Sequence, residues 1–178
     1  MNYRKTNQGY KQKLFQEYLE IIKDLIEDEA ILEMDNYRQH GQVSTLVHSI
    51  YVSYSAFKIA KKLKLDYVSV ARAGLLHDFY LYDWRKVKYE GSTHRKMHPK
   101  IALEKSKAKF TINQKEEDII LKHMFPVVLR TIPKYKESLL VSLVDKYCAI
   151  MEVLSPKKKY KLRSFHLKIQ RQQALLFQ

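Results

Sequence analysis

Apolar residues recur at helical spacing along most of the chain, and this pattern predicts six helices. Over residues 11–33, apolar positions separated by three or four residues alternate with charges, which is typical of an amphipathic helix. Similar spacing predicts helices over residues 44–65, 66–78, 113–125 and 136–154, and a further one from residue 98 onward. After Pro156, another amphipathic segment carries Leu162, Phe165, Ile169 and Leu176. The chain has only four Gly and four Pro, so we expect an all-α fold.

Several predicted helices begin at recognisable capping residues. Ser44 and Asp66 suit the N-cap position, and Asn113 with Glu116 three residues later resembles a capping box. Pro99 is tolerated at a first helical position, so the fourth helix is predicted to open at His98. The segment 34–41 and the aromatic, basic segment 79–97 lack a clear period and are predicted to be loops. The longer one is either a functional lid or a surface excursion anchored by Trp84.

The net charge limits the classes of partner. At 178 residues the chain suits one domain, and its formal charge of +14 would attract partners that carry phosphate. A solvated basic surface without a dedicated partner explains the charge equally well. The single cysteine, Cys148, excludes an internal disulfide and fits the reducing cytoplasm. No apolar stretch is long enough to span a bilayer, so we expect neither export nor membrane insertion.

Polar residues that interrupt the apolar faces are the candidates for chemistry. Each would need a partner if it were buried, because an unpaired polar group in a core is costly. Taken singly, such a histidine is often a satisfied core residue, but a pair of metal ions would satisfy the whole set at once. The set comprises His48, His77, Asp78, His98, His123 and Asp145.

The order of these residues, H, HD, H, H, D, resembles the HD-domain superfamily of metal-dependent phosphohydrolases, particularly its small single-domain bacterial members. The matching text consists of QHGQVSTLVHS, ARAGLLHDFYLYDWR, HRKMHPKIAL, ILKHMFP and VSLVDKYCAIME. The resemblance implies an all-α orthogonal helical bundle with a metal site at its centre. We therefore expect one HD domain over residues 1–178, with a core at about 39–152 and a helix added at each end.

The same resemblance implies a ligand set. His48, His77, Asp78 and Asp145 would bind one metal, and Asp78 would bridge to a second metal that His98 and His123 complete. Imidazole and carboxylate ligands suit iron, manganese, nickel or zinc better than magnesium. If only one metal is bound, His98 and His123 would contact the substrate phosphate instead.

The implied activity is hydrolysis of a phosphate ester or anhydride, as a phosphomonoesterase or phosphodiesterase, by a metal-activated hydroxide. A nucleotide or another small phosphorylated metabolite is the expected substrate, and Asp78 is the central catalytic residue. His94 is a candidate general acid, although an exposed or supporting histidine is the alternative. Arg85, Lys122 and Lys146 are candidates for binding phosphate, and each has the alternative of a solvated or structural charge.

Tyr80, Tyr82 and Trp84 could stack a nucleobase or anchor their loop to the core. The chain lacks the GYP-type signature of HD relatives that cleave cyclic dinucleotides, so we do not expect that activity. A second hypothesis is a basic helical nucleic-acid-binding protein, or a nuclease, with a structural metal site; its binding would depend on salt. Apolar Leu175, Leu176 and Phe177 suit a docked terminus or a dimer contact, so monomer and homodimer both stay open.

Overall fold

The computed structural model describes residues 3–40 and 43–154. The predicted amphipathic segment after Pro156 and the apolar residues 175–177 lie outside these residues. Eight α-helices account for most of the described chain: α1 Tyr3–Ile21, α2 Lys23–Ile26, α3 Glu29–Glu33, α4 Thr45–Lys62, α5 Tyr67–Leu76, α6 His94–Lys109, α7 Gln114–Lys122 and α8 Lys136–Leu154. The predicted all-α helical fold is thereby confirmed, with a His/Asp cluster in its buried core.

The region before α4 differs from the prediction of a single helix over 11–33 followed by a loop. The helix is divided into α1, α2 and α3. The second division occurs where the Asp28 side chain accepts a hydrogen bond from the Ala30 amide and starts α3. A 3-10 turn, Met34–Asn36, leads to two short antiparallel strands, β1 Arg38–His40 and β2 Val43–Ser44. In the segment before these strands, Ile22, Leu25 and Ile31 are buried in the hydrophobic core.

Helices α4 and α5 approach each other closely and position the HD dipeptide. A Cβ at Gly74 of α5 would lie 2.9 Å from the Ser53 Cα of α4, so only glycine fits there without a shift. The Ser53 hydroxyl donates to the Ala71 carbonyl and accepts from the Tyr18 hydroxyl, which ties α1 to both helices. The end of α5, where His77 and Asp78 follow, is therefore held deep in the core.

Three predicted helix starts are confirmed by their caps. The Ser44 hydroxyl accepts from the Val47 amide at the start of α4, and the Asp66 carboxylate accepts from the Ser69 amide at the start of α5. Asn113 and Glu116 form the predicted capping box of α7. These helix starts could be predicted from the sequence because each cap depends only on residues within one helical turn.

Several other helix boundaries differ from their predicted positions; α4 ends at Lys62 and not at residue 65, and α5 ends at Leu76 and not at residue 78. Helix α6 begins at His94, so Pro99 is inside the helix and is not its first residue. Thr93, which has an extended backbone, occupies the N-cap position before His94. Because Pro99 has no N–H, the helix lacks the hydrogen bond that residue 99 would donate to the Arg95 carbonyl. Helix α7 ends at Lys122, three residues before the predicted end at 125.

Helix α8 has the predicted bounds and closes the core with Val141, Val144 and Cys148. Among these apolar side chains it also buries the carboxylates of Asp145 and Glu152. Within the described residues, no helix combines the length and the apolar character that crossing a bilayer requires.

Candidate metal centre

Six buried side chains form two neighbouring groups of potential metal ligands. One group contains His48, His77 and Asp145, and the other contains Asp78, His98 and His123. In each group, one ligand atom per residue lies within 4.8 Å of the others. The structure thus brings together all six residues that the sequence singled out, from α4, α6, α8 and the ends of α5 and α7.

Asp78 lies between the two groups and presents one carboxylate oxygen to each. Its Oδ2 is 3.2 Å from His77 Nε2 and 3.9 Å from His48 Nε2. Its Oδ1 is 3.3 Å from His98 Nε2 and 3.7 Å from His123 Nε2. This is the arrangement that a bridging carboxylate requires.

Asp145 supplies the carboxylate of the first group. Its Oδ1 lies 3.0 Å from His48 Nε2 and 3.8 Å from His77 Nε2. Two imidazole nitrogens therefore converge on this oxygen and on Asp78 Oδ2.

Each of the four imidazoles has its Nδ1 atom held by an oxygen and its Nε2 atom turned toward the centre. A backbone carbonyl can only accept, so an Nδ1 atom beside one must donate its proton, and in a neutral ring the lone pair is then on Nε2. The acceptors are the Gly74 carbonyl for His77 at 2.8 Å, the His94 carbonyl for His98 at 2.9 Å, the Ile120 carbonyl for His123 at 2.7 Å and the Glu152 carboxylate for His48 at 2.9 and 3.0 Å.

Two buried atoms at the centre have no hydrogen-bond partner, and this observation tests whether the site fits a metal. Within the described part of the chain, His77 Nε2 and Asp78 Oδ1 are unsatisfied. Leaving such atoms without a partner costs free energy in a core, whereas bound metal ions would give each of them a partner. The mixed nitrogen and oxygen donors suit first-row transition metals. The residues therefore fit one or two such ions.

The carboxylates at the centre are held in the ionised form that a cation needs. Burial alone would raise the pKa of Asp78, but His77 and His98 hold it well below its ordinary value. Burial opposes ionisation of Asp145 in the same way, and the neighbouring His48 and His77 imidazoles together with the Lys146 charge hold its pKa well below the usual range.

The imidazoles differ in their affinity for protons. Burial alone would lower the pKa of His77, but the Asp78 and Asp145 carboxylates raise it to about 9. For His48, Glu152 and Asp145 overcome burial and raise the pKa well above its ordinary value. The pKa of His123 is instead lowered by burial and by the neighbouring His98.

The sequence did not identify two residues that contact the ligands, Glu152 and Gln39. Glu152 holds His48, as described above; its position seven residues after Asp145, on the same side of α8, was the available signal. Gln39 of β1 donates to Asp78 Oδ2, and the buried Tyr80 hydroxyl donates to Gln39 Oε1. No periodic pattern could have identified Gln39, because it lies in a three-residue strand.

Lys146 is the predicted cation that lies nearest to the ligands. Its ammonium is 2.9 Å from Asp145 Oδ2 and also donates to the His123 carbonyl. It is therefore tied to one residue of each group, and its side chain remains 22% exposed. The other two predicted cations lie further from the groups.

Arg85 lies in the loop after α5, where its guanidinium covers the Trp84 ring and donates to the Arg38 carbonyl. Lys122, at the end of α7, has no hydrogen bond to the six residues within the described chain. The phosphate-binding roles of Arg85, Lys122 and Lys146 stay predictions.

His94 stacks on His98 with ring centroids 4.5 Å apart, and Trp84 stacks on His94 at 5.4 Å. The Tyr82 hydroxyl is 3.1 Å from His94 Nδ1. Burial and the neighbouring His98 lower the pKa of His94 to about 4, so its ring is neutral at pH 7. The general-acid role of His94 stays a prediction, while the stacked rings connect the loop after α5 to α6.

Comparison with known protein families gives one match, to the HD domain, over residues 45–150. This range begins at the first residue of α4 and ends within α8, so it contains all six potential ligands. Neither curated proteins nor solved structures give a significant match. HD domains bind divalent metals and are generally hydrolases of phosphorylated substrates. Because the match covers more than half of the chain, the protein belongs to the HD-domain superfamily of metal-dependent phosphohydrolases.

Proposed function

We propose that this protein is a metal-dependent phosphohydrolase that acts on a small phosphorylated metabolite, with nucleotides as the first class to test. The observation that carries the proposal is the position of Asp78, whose two carboxylate oxygens face two separate groups of buried histidines. A merely structural carboxylate would be satisfied by one such group. The steric and electronic arrangement instead suits a carboxylate shared by two cations.

In this proposal His48, His77, Asp145 and Asp78 would hold one divalent ion, and Asp78, His98 and His123 would hold the other. When bound, such ions lower the pKa of a water and withdraw charge from phosphoryl oxygens. The chain supplies the orientation: Gln39 holds Asp78, Glu152 holds His48, and backbone carbonyls hold the other three rings. Two of these carbonyls, those of Gly74 and Ile120, lie in the last turns of α5 and α7.

The cations of the chain support this substrate class. A phosphate ester that enters beside Asp145 meets the Lys146 ammonium, which has part of its surface exposed. Arg85, on the loop after α5, offers further donors to a phosphate oxygen. The formal charge of +14 would raise the local concentration of a polyanionic substrate. These features favour substrates with at least one ionised phosphate.

The test begins with metal content. The protein is purified without chelators, and metals per chain are measured by elemental analysis for the wild type, Asp78→Ala and the control Glu117→Ala. Glu117 is a carboxylate on α7 that pairs with Lys107 away from the centre. We expect one to two transition metals per chain in the wild type and in the control, and loss of most of them in Asp78→Ala.

The second step is activity with the metal that is found. A phosphomonoester, a phosphodiester and the nucleoside mono-, di- and triphosphates are assayed with iron, manganese, nickel, zinc and magnesium. We expect turnover that disappears in Asp78→Ala and persists in Glu117→Ala. A metal count near zero that added metals cannot restore would overturn the proposal. Salt-dependent binding of DNA or RNA in that case would favour the nucleic-acid-binding alternative.

A further inference from the structure

Helix α8 has an apolar face that points away from the core. Leu139, Leu143, Ile150 and Leu154 are 40%, 53%, 55% and 71% exposed, respectively. At about 100° per residue, these four positions fall within about 60° of the helix circumference. The buried residues Val141 and Cys148 lie on the opposite side. We call the four exposed positions the outer stripe of α8.

The outer stripe forms a long, exposed apolar surface. It extends over 15 residues, or about 22 Å along the helix axis. Contiguous exposed apolar patches of this kind mark an interaction surface in most folded proteins. Lys146 lies at the edge of the stripe between Leu143 and Ile150, but its ammonium reaches away from the stripe to Asp145 and to the His123 carbonyl.

We propose that the chain's own C-terminal segment, residues 155–178, covers the outer stripe as the second arm of an antiparallel helical hairpin. The sequence of the segment carries the complementary pattern. Leu162, Phe165, Ile169 and Leu176 would fall within about 60° of one another on a helix, so they form a second apolar stripe. The distance from Leu162 to Leu176 is 14 residues, or about 21 Å in a helix, which matches the length of the outer stripe.

The connection between the two stripes has a suitable length and composition. Leu154 is the last residue of α8, and Pro156 disfavours continuation of the helix because it restricts Ser155 and lacks an N–H. The remaining residues before Leu162 form a basic connection within the usual range for neighbouring helices. An antiparallel return then places Leu162 opposite Leu154, Phe165 opposite Ile150, and Leu176 opposite Leu139.

A tethered segment also has an advantage over a second copy of the chain. A short connection gives it an effective concentration in the millimolar range, so a second copy would have to displace it. The segment contains lysines and arginines but no Asp or Glu. Two copies joined through α8 would bring two such basic segments close together, which electrostatic repulsion disfavours.

The experiment is a double-mutant cycle on the full chain, with Ile150→Asp, Phe165→Asp and the combined variant. Leu129→Asp is the control, because Leu129 is 73% exposed in the loop before α8 and lies outside the stripe. We expect each single substitution to lower the thermal midpoint by about 4–8 °C, and the control to lie within about 2 °C of the wild type. The combined variant should fall by less than the two shifts together, because each single substitution already removes the same contact.

The cycle is repeated with Ile150→Ala and Phe165→Ala, so that an effect of introduced charge on folding is separated from the contact itself. Mass in solution is measured by sedimentation at the same time, and we expect a single chain of 21.3 kDa. Additive shifts in both cycles would overturn the proposal. So would a dimer that Ile150→Asp converts to a monomer while Phe165→Asp does not, because a second copy would then cover the stripe.

Discussion

The Nε2 atoms of His98 and His123 lie 2.7 Å apart, and both rings donate their Nδ1 protons to backbone carbonyls. Two neutral rings held in this way would direct two lone pairs at each other. A cation between or beside them removes the repulsion, as does a single shared proton. The geometry of this pair is therefore compatible with a metal ion at the second group.

Replacement of one member of the pair should remove one metal. We expect His123→Ala to lower the metal count by about one per chain relative to the wild type, because Asp78 Oδ1 and His98 alone leave too few ligands. The matched control is His94→Ala, which removes an imidazole that stacks on His98 but belongs to neither group. Elemental analysis measures both variants. An unchanged count in His123→Ala would limit the centre to a single ion.

Glu152 should act as a positioning residue for His48. Its carboxylate is 2.9 Å from His48 Nδ1 and lies buried, so we expect Glu152→Ala to weaken metal affinity by about 10- to 100-fold. Glu152→Gln retains one acceptor and should lose less. Affinity is measured by competition with a chelator, and Glu104→Gln on the exposed side of α6 is the control. Equal affinities in Glu152→Ala and the wild type would contradict the role.

Gly74 should be required for the contact between α4 and α5. In Gly74→Ala the new methyl group would meet the Ser53 backbone at 2.9 Å, and we expect a loss of about 1–3 kcal/mol in the free energy of unfolding. Gly9→Ala on α1 has open space and should stabilise the protein by up to about 1 kcal/mol, because alanine favours helix. Urea unfolding of both variants measures the difference. Similar values for the two would show that the helices can separate without cost.

Lys115 should make stability depend on pH in the acidic range. Its ammonium is 3.2 Å from Asp66 and 3.1 Å from Glu137, and the pKa of each carboxyl is lowered although burial opposes this. A lowered folded-state pKa stabilises the protein above the unfolded-state pKa near 4, and the contribution is lost as pH falls below that value.

We therefore expect Lys115→Met to reduce the free energy of unfolding by about 1 kcal/mol or less at pH 7, since the pair is partly exposed. The difference from the wild type should shrink between pH 4 and pH 2. Lys100→Met, at an exposed position of α6, is the control at each pH. A difference that stays constant over this range would rule out the two carboxylates as the source.

Much of the fold and of the candidate site could be predicted because the signals were local or ordered. The caps at Ser44, Asp66 and Asn113 act within one turn, and the spacing of apolar residues gave α8 its correct bounds. The six potential ligands were found because polar residues on apolar helix faces are unusual. That they bind metal, and which substrate they serve, stay predictions.

The features that were missed depend on competition or on distant contacts. Asp28 ends one helix and starts another because its side chain competes with the backbone for the Ala30 amide, although the apolar spacing continues through it. Helix α6 begins at His94, although Pro99 favours the first turn of a helix and was therefore predicted to mark the helix start. Gln39 reaches Asp78 from a short strand 39 residues earlier in the chain, and no local pattern contains that information.

The sequence distance between His48 and Asp145 has a consequence for the protein in the cell. Their side chains meet only when α4 and α8 are in place, so an unfolded chain offers an ion no comparable site. An ion that binds only the native state shifts the folding equilibrium by mass action. Without it, His98 and His123 must share a proton to avoid repulsion between their Nε2 lone pairs. The lifetime of the protein against proteolysis should accordingly follow the supply of its metal, so starvation for that metal would lower abundance as well as activity.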